Sequence, residues 1–307
     1  MEHKRNSGNH LSSDEATSLE YWRELCPNLS IGASDSVPVA DLTNIDGWLD
    51  TLLSEGYVNE PGVLPVGHLQ VLRESVALLD KRNIPHAFAF IYDEFWNLFR
   101  SLHPFLQKVL GADYKVLPDC WAWYVKPSNE TAGWRPHRDR PATTFGPENI
   151  PHSVTVWLPL TDATPLNGCM YVIPAHWDSD LRSPPPPDDG DYSLAGQALQ
   201  NVRALPAPAG SLLVWNQLLL HWGGRTSSRA QEPRCSVALQ FQRGDIPSFE
   251  DPLIHPNKLL PFRARLGLIG HLIRGYSYFH TIKSPEIQCL AAALDWKYWR
   301  AGEACQA

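Results

Sequence analysis

The sequence changes its repeat at Gly111, and this change constrains the fold more than any other feature of the 307 residues. Before it, apolar residues return at helical spacing, first as Ile45, Trp48, Leu49, Leu52 and Leu53, then as Leu69, Leu72, Val76 and Leu79. Such spacing lays one apolar stripe along an α-helix, and Gly56 stands where the first helix would stop. Residues 88–100 are apolar on nearly all sides and 102–110 continue in that vein despite Pro104, which predicts helices buried on more than one face as a buttress for a sheet. After Gly111 the runs become short, aromatic and β-branched, separated by Pro, Gly, Asn and Asp: residues 114–117, 121–125, 153–160, 168–173, 211–215 and 235–241. These predict strands. Helices first and then a block of strands predict a mainly β fold, a jelly roll or barrel with a helical flank.

The chemistry concentrates in Trp134-Arg135-Pro136-His137-Arg138-Asp139-Arg140-Pro141. On a strand or strand end, side chains two residues apart leave the same face about 7 Å apart along the chain. His137 and Asp139 can therefore converge on one metal while Arg138 points away. A third ligand is needed, and the apolar run Leu218-Leu219-Leu220 ends in His221. Two imidazoles and one carboxylate on a single face leave room for a bidentate co-substrate and O2, the arrangement of non-haem Fe(II) oxygenases. A second pair of the same spacing, His176 and Asp178, follows Ile173-Pro174-Ala175, where a strand has ended, and reads as loop. It opens an excursion, residues 176–200, that carries four prolines from Pro184 to Pro187 and the aspartates Asp188, Asp189 and Asp191. That composition suits neither strand nor helix, and leaves both a cover over the site and a solvated insertion open.

Composition removes several functions. A net charge of −7 argues against a general nucleic-acid binder, which needs excess Lys and Arg. No run approaches the roughly 18 apolar residues of a membrane span, and the first residues, Met1 to Gly8, are polar rather than an apolar signal segment. Six cysteines without a CxxC pair fit neither a zinc ribbon nor a thioredoxin motif, and scattered reduced thiols predict a cytoplasmic protein. Residues 1–35 are polar and predict a mobile tail with one helical turn around Leu19, Tyr21 and Trp22 that docks. The rest, 36–307, is expected to form one domain: a helical buttress (36–112), a β core (113–245) and an extension (246–307) that folds back on it.

Taken in order, Gly133-Trp134-Arg135-Pro136-His137-Arg138-Asp139, Asn167-Gly168-Cys169-Met170-Tyr171-Val172-Ile173-Pro174, Gly210-Ser211-Leu212-Leu213-Val214-Trp215, Leu220-His221-Trp222-Gly223 and Pro233-Arg234-Cys235-Ser236 resemble the phytanoyl-CoA dioxygenase family of Fe(II)/2-oxoglutarate oxygenases. The resemblance covers about residues 120 to 242 and implies a cupin-like double-stranded β-helix. It implies that His137, Asp139 and His221 are the iron ligands and that Arg234 holds the distal carboxylate of 2-oxoglutarate, with the Ser236 hydroxyl beside it. A guanidinium suits that task, because it meets a carboxylate with two parallel hydrogen bonds. Arg225 and Arg229, in the turn after His221, are the competing anchors. Tyr124 and Trp157 are candidates for lining the co-substrate pocket or for plain core aromatics. Related halogenases lack the carboxylate, so Asp139 argues against halogenation. The resemblance implies oxidative decarboxylation of 2-oxoglutarate to succinate and CO2, with hydroxylation the expected outcome and desaturation, cyclisation or cleavage open to the same chemistry. The expected partners are O2 and a small-molecule metabolite or biosynthetic intermediate, with neither nucleic acid nor membrane. A metal enzyme of the same fold without 2-oxoglutarate, or a non-catalytic barrel, would be the alternatives.

Overall fold

In the computed structural model, which describes residues 11–33, 36–128, 134–140, 145, 150–178, 181, 197–277, 282 and 284–300, the strands form two antiparallel sheets. They are β1 (Tyr57–Glu60), β2 (Lys115–Val125), β3 (Ser153–Pro159), β4 (Met170–Val172), β5 (Arg203–Leu205), β6 (Leu212–Asn216), β7 (His221–Gly223) and β8 (Arg234–Gln242). The five-stranded sheet runs β1-β6-β3-β8-β2 and the three-stranded one β5-β4-β7. The alternation of side chains divides the larger sheet cleanly. Val154, Val156 and Leu158 of β3, Leu212 and Val214 of β6, and Cys235, Val237, Leu239 and Phe241 of β8 join the main core with the helices. Trp157, Leu213 and Trp215 point the other way, into a second cluster shared with Met170, Val172 and Leu205 of the smaller sheet. The polar residues Thr155, Arg234, Ser236 and Gln240 also stand on this second face, by register.

The helices are α1 (Ser13–Thr17), α2 (Leu19–Leu25), α3 (Ile45–Glu55), α4 (Leu69–Lys81), α5 (Asp93–Arg100), α6 (His103–Leu110), α7 (Gln197–Gln200), α8 (Phe262–Gly275) and α9 (Pro285–Leu294). The stripe of α4 is realised in full: Leu69, Leu72, Val76 and Leu79 are all buried, each worth roughly 1.5–3 kcal/mol. Pro104 sits in the first turn of α6, where its missing N–H costs nothing. Gly56 ends α3 at φ +83°, in the left-handed region that favours glycine. A side chain there would meet Leu219 Cδ1 at 2.8 Å and Asn216 Nδ2 at 2.9 Å. Its carbonyl accepts from the Asn216 backbone at 3.0 Å and side chain at 3.2 Å, tying the helix end to the segment that leads into His221.

Several expectations are revised. The N-terminal segment forms two short helices rather than one turn, and Trp22 is fully buried, stacked on Phe88 at 5.1 Å between centroids. Residues 88–100 are not one helix: a 3-10 turn (His86–Ile91) gives way at extended Tyr92 to α5. The break serves Asp93, whose buried carboxylate accepts the N–H groups of Gly32 and Ala33 at 2.9 Å each and pairs with fully buried Arg265 of α8 at 2.6 Å. A buried charge requires such partners. The gap between the runs 114–117 and 121–125 is an irregularity inside the single strand β2, where the register with β8 shifts between Val116 and Cys120. Pro118, which has no N–H to give, lies within it. With α8 and α9 added behind the sheet, the architecture is mixed helix and strand rather than mainly β. No helix among the described residues is long and apolar enough to cross a membrane.

Candidate metal centre

The segment holding His137 is not a regular strand. One antiparallel bridge fastens it: the His137 N–H donates to the His221 carbonyl at 2.9 Å and the His221 N–H returns the bond at 3.0 Å. That reciprocal pair brings the imidazoles within 4.3 Å, centroid to centroid. His221 opens β7, which lies beside β4 in the smaller sheet, so the bridge adds the His-x-Asp segment to that sheet's end. Asp139 Oδ1 then lies 3.4 Å from His137 Nε2 and 3.5 Å from His221 Nε2. Among the described residues these three form a group able to hold a metal ion, with ligand atoms within 4.8 Å of one another.

The atoms not aimed at this point are all engaged. His137 Nδ1 donates to the Arg135 carbonyl at 2.8 Å, and His221 Nδ1 to the Leu219 carbonyl at 2.9 Å. A carbonyl only accepts, so the proton of each neutral ring resides on Nδ1 and the lone pair on Nε2. Asp139 Oδ2 accepts from the Thr155 hydroxyl at 2.6 Å and from Trp215 Nε1 at 2.9 Å. Thr155 is steadied in turn by Gln217 Nε2 at 3.2 Å, and Gln217 Oε1 accepts from Arg140 Nε at 3.1 Å. Burial holds His137 below its usual pKa, and a proton shared onto the facing ring of His221 would push it further the same way. Burial opposes ionisation of Asp139, but positive charge on the facing imidazole of His221, and the hydrogen bonds that His137 and His221 donate through Nε2 whenever that atom holds a proton in place of a metal, outweigh it and keep the carboxyl well below the usual range. A neutral imidazole and an ionised carboxylate are the forms that bind metal.

His176 and Asp178 take no part. Asp178 receives both terminal nitrogens of Arg138, at 2.7 and 3.1 Å, in a pair whose side chains are 2% and 6% exposed. His176 lies near the surface, 3.5 Å from Glu55. Most of the Pro-rich excursion lies outside the described residues.

Arg234 opens β8 and is buried, its Nη1 donating to Ser236 Oγ at 2.7 Å and its guanidinium 5.6 Å from the centroid of Trp157. Burial lowers its pKa to about 10. Its Nε is buried without a partner, and no carboxylate among the described residues pairs with it. A buried cation so placed is costly until an anion reaches it, which fits the far carboxylate of 2-oxoglutarate. Arg225 and Arg229, the competing anchors, are exposed. Tyr124 stands on the wrong face for a pocket residue: it pairs in register with core Cys235, and its ring faces His86 at 6.2 Å. Its neighbour Trp123, across from Ser236, is on the site face. Thr155, Trp215 and Gln217 escaped the sequence reading, because their approach to Asp139 depends on strand register.

Comparison with known proteins identifies the family and the fold. The family model for phytanoyl-CoA dioxygenase matches residues 71–234, more than half of the chain and including all three metal-binding candidates. Solved structures share the fold at low identity. The epimerase SnoN from nogalamycin biosynthesis, solved with Fe3+, alpha ketoglutarate and nogalamycin RO, is 18% identical over 72% of this chain and 96% of its own, with a TM-score of 0.52. The non-heme monooxygenase ThoJ in its Ni complex is 15% identical over 79% and 99%, at 0.53. AviO1 from Streptomyces viridochromogenes is 17% identical over 68% and 99%, at 0.50. A search of the curated proteins finds no match. The chain is a member of the phytanoyl-CoA dioxygenase family of non-haem Fe(II)/2-oxoglutarate-dependent oxygenases.

Proposed function

We propose that His137, Asp139 and His221 hold one Fe(II), and that Arg234 with Ser236 receives the distal carboxylate of 2-oxoglutarate beside Trp157. The enzyme then hydroxylates a small-molecule metabolite or biosynthetic intermediate, consuming O2 and releasing succinate and CO2. The observation that carries this reading is the division of atoms at the three ligands: one lone-pair atom of each faces the common point, and every other polar atom is bonded elsewhere. Bound iron supplies the O2 chemistry that couples decarboxylation of 2-oxoglutarate to oxidation of a C–H bond. The chain's residues orient and shield. The Arg135 and Leu219 carbonyls fix the ring planes, Thr155 and Trp215 fix the carboxylate, and Trp157 covers the guanidinium with an apolar face that keeps the charge–charge contact dry.

Two antiparallel sheets sharing one apolar cluster support a cupin-like double-stranded β-helix over residues 113–245, with 36–112 as its buttress and 246–307 as its extension. Buried, unpaired Cys26, Cys120, Cys169 and Cys235 suit a cytoplasmic setting. A metal enzyme of this fold that ignored 2-oxoglutarate would leave Arg234 uncompensated, which disfavours that reading. With Fe(II), O2 and 2-oxoglutarate, the wild-type protein should form succinate. Arg234→Ala should raise the 2-oxoglutarate concentration required by more than tenfold, since a desolvated charge pair is worth about 2–5 kcal/mol, and should leave iron binding in place. An unchanged requirement, with a large effect from Arg225→Ala or Arg229→Ala, would place the anchor in the turn instead.

A further inference from the structure

Beyond the metal ligands, the site face of β2 continues as a wall of rings. Trp134 lies 5.5 Å from His137, centroid to centroid, and meets Trp123 at 5.1 Å and 81°. Trp123 meets Trp121 at 5.8 Å, and Tyr276, at the end of α8, closes on Trp121 at 5.0 Å and Trp134 at 6.2 Å. The Tyr276 hydroxyl reaches the two oxygens of Asp119 at 2.8 and 2.9 Å. Trp123, Trp134, Tyr276 and Asp119 are each partly open to solvent, whereas Trp121 is buried. The wall thus begins at a metal ligand and ends at a carboxylate.

That carboxylate has no cation in contact with it among the described residues. The nearby guanidinium of Arg140 is committed to Gln217, Gln240 and Glu250, at 3.1, 3.2 and 3.1 Å. Glu250 is shared with His271 at 3.4 Å. Burial pushes the Asp119 pKa up to about 7; the Tyr276 hydrogen bond and the Arg140 charge oppose that rise, and the charges of Glu250 and Asp139 add to it. An anionic substrate group would be repelled here, and an aromatic face attracts a cation through its quadrupole.

We propose that Trp123, Trp134 and Tyr276 form the wall against which the substrate lies, and that the substrate carries a positively charged nitrogen received by Asp119. This rests on the oxygenase reading above and deepens it by naming the substrate class. The test uses protein loaded with Fe(II) and 2-oxoglutarate without O2, with choline as cationic probe and 3,3-dimethylbutan-1-ol, its uncharged isostere, followed by tryptophan fluorescence. Choline should bind about tenfold more tightly than the isostere at about pH 8, and lose about tenfold in affinity by about pH 6 as Asp119 takes up a proton, while the isostere stays constant. Asp119→Asn should abolish the preference. Equal affinities, no saturable choline binding, or a preference that survives Asp119→Asn would overturn the proposal. If the variant does not fold, the wild-type pH profile decides, and a preference independent of pH overturns it. Wild-type protein that makes succinate but shows no preference refutes this inference alone; a preference without succinate formation refutes only the oxygenase reading.

Discussion

His137-Arg138-Asp139 and His176-Trp177-Asp178 place an imidazole and a carboxylate at the same spacing. In the first, Asp139 keeps Oδ1 toward two imidazoles while Thr155 and Trp215 occupy Oδ2. In the second, both oxygens of Asp178 are taken by a guanidinium and the imidazole drifts to the surface beside Glu55. The guanidinium belongs to Arg138, the middle residue of the first motif. One His-x-Asp therefore holds its neighbour out of metal chemistry by neutralising it. Spacing alone does not make a ligand; the placement of the remaining lone pairs does.

The comparison breaks most plainly at the ligands. His137→Ala and His221→Ala should each reduce bound iron to background, measured as metal per protein after desalting, and abolish succinate formation. His176→Ala should change neither. Stoichiometric iron in both triad variants would transfer the role to the second motif.

The next effect belongs to the pair that joins the two motifs. Arg138→Ala takes the guanidinium away from the buried Asp178 carboxylate and should cost about 3–5 kcal/mol in urea unfolding. Asp178→Asn should destabilise in the same direction, and combining the two changes should cost less than their sum. Strict additivity would mean that the pair contributes no coupling.

A smaller effect sharpens the contrast at Asp139 itself. Thr155→Val removes one of the two donors to Oδ2 at almost constant volume, and should weaken Fe(II) affinity by about 10-fold to 100-fold with the far-UV spectrum unchanged. Unaltered affinity would leave Trp215 as the sole support of that oxygen.

Much of this organisation is legible in the sequence where the cause is local. The stripe of Leu69, Leu72, Val76 and Leu79, the stop at Gly56 and the grouping of His137, Asp139 and His221 all follow from spacing or from resemblance. What stayed hidden depends on contacts between distant segments. The break at Tyr92 exists because Asp93 must meet Arg265 and the N–H groups of Gly32 and Ala33. Whether Tyr124 lines the pocket or packs in the core is open in the sequence, because only the pairing of Tyr124 with Cys235 and of Trp123 with Ser236 says which of two neighbours faces the site. A shift of one residue in register reverses that choice. The fate of Asp178 was equally invisible, since its partner lies on a segment that the fold alone brings beside it.

The close approach at Gly56 bears on protein engineering. Helix α3 ends against Asn216, Leu219 and Ala175 with no space for a methyl group, and Leu219 supplies the carbonyl that orients the His221 ring. The helical flank is thus part of the mould in which one metal ligand is cast. Trimming the chain to its strands to obtain a minimal catalyst would remove the surface that sets His221, so a smaller scaffold would need a substitute for that helix end before any redesign of the pocket.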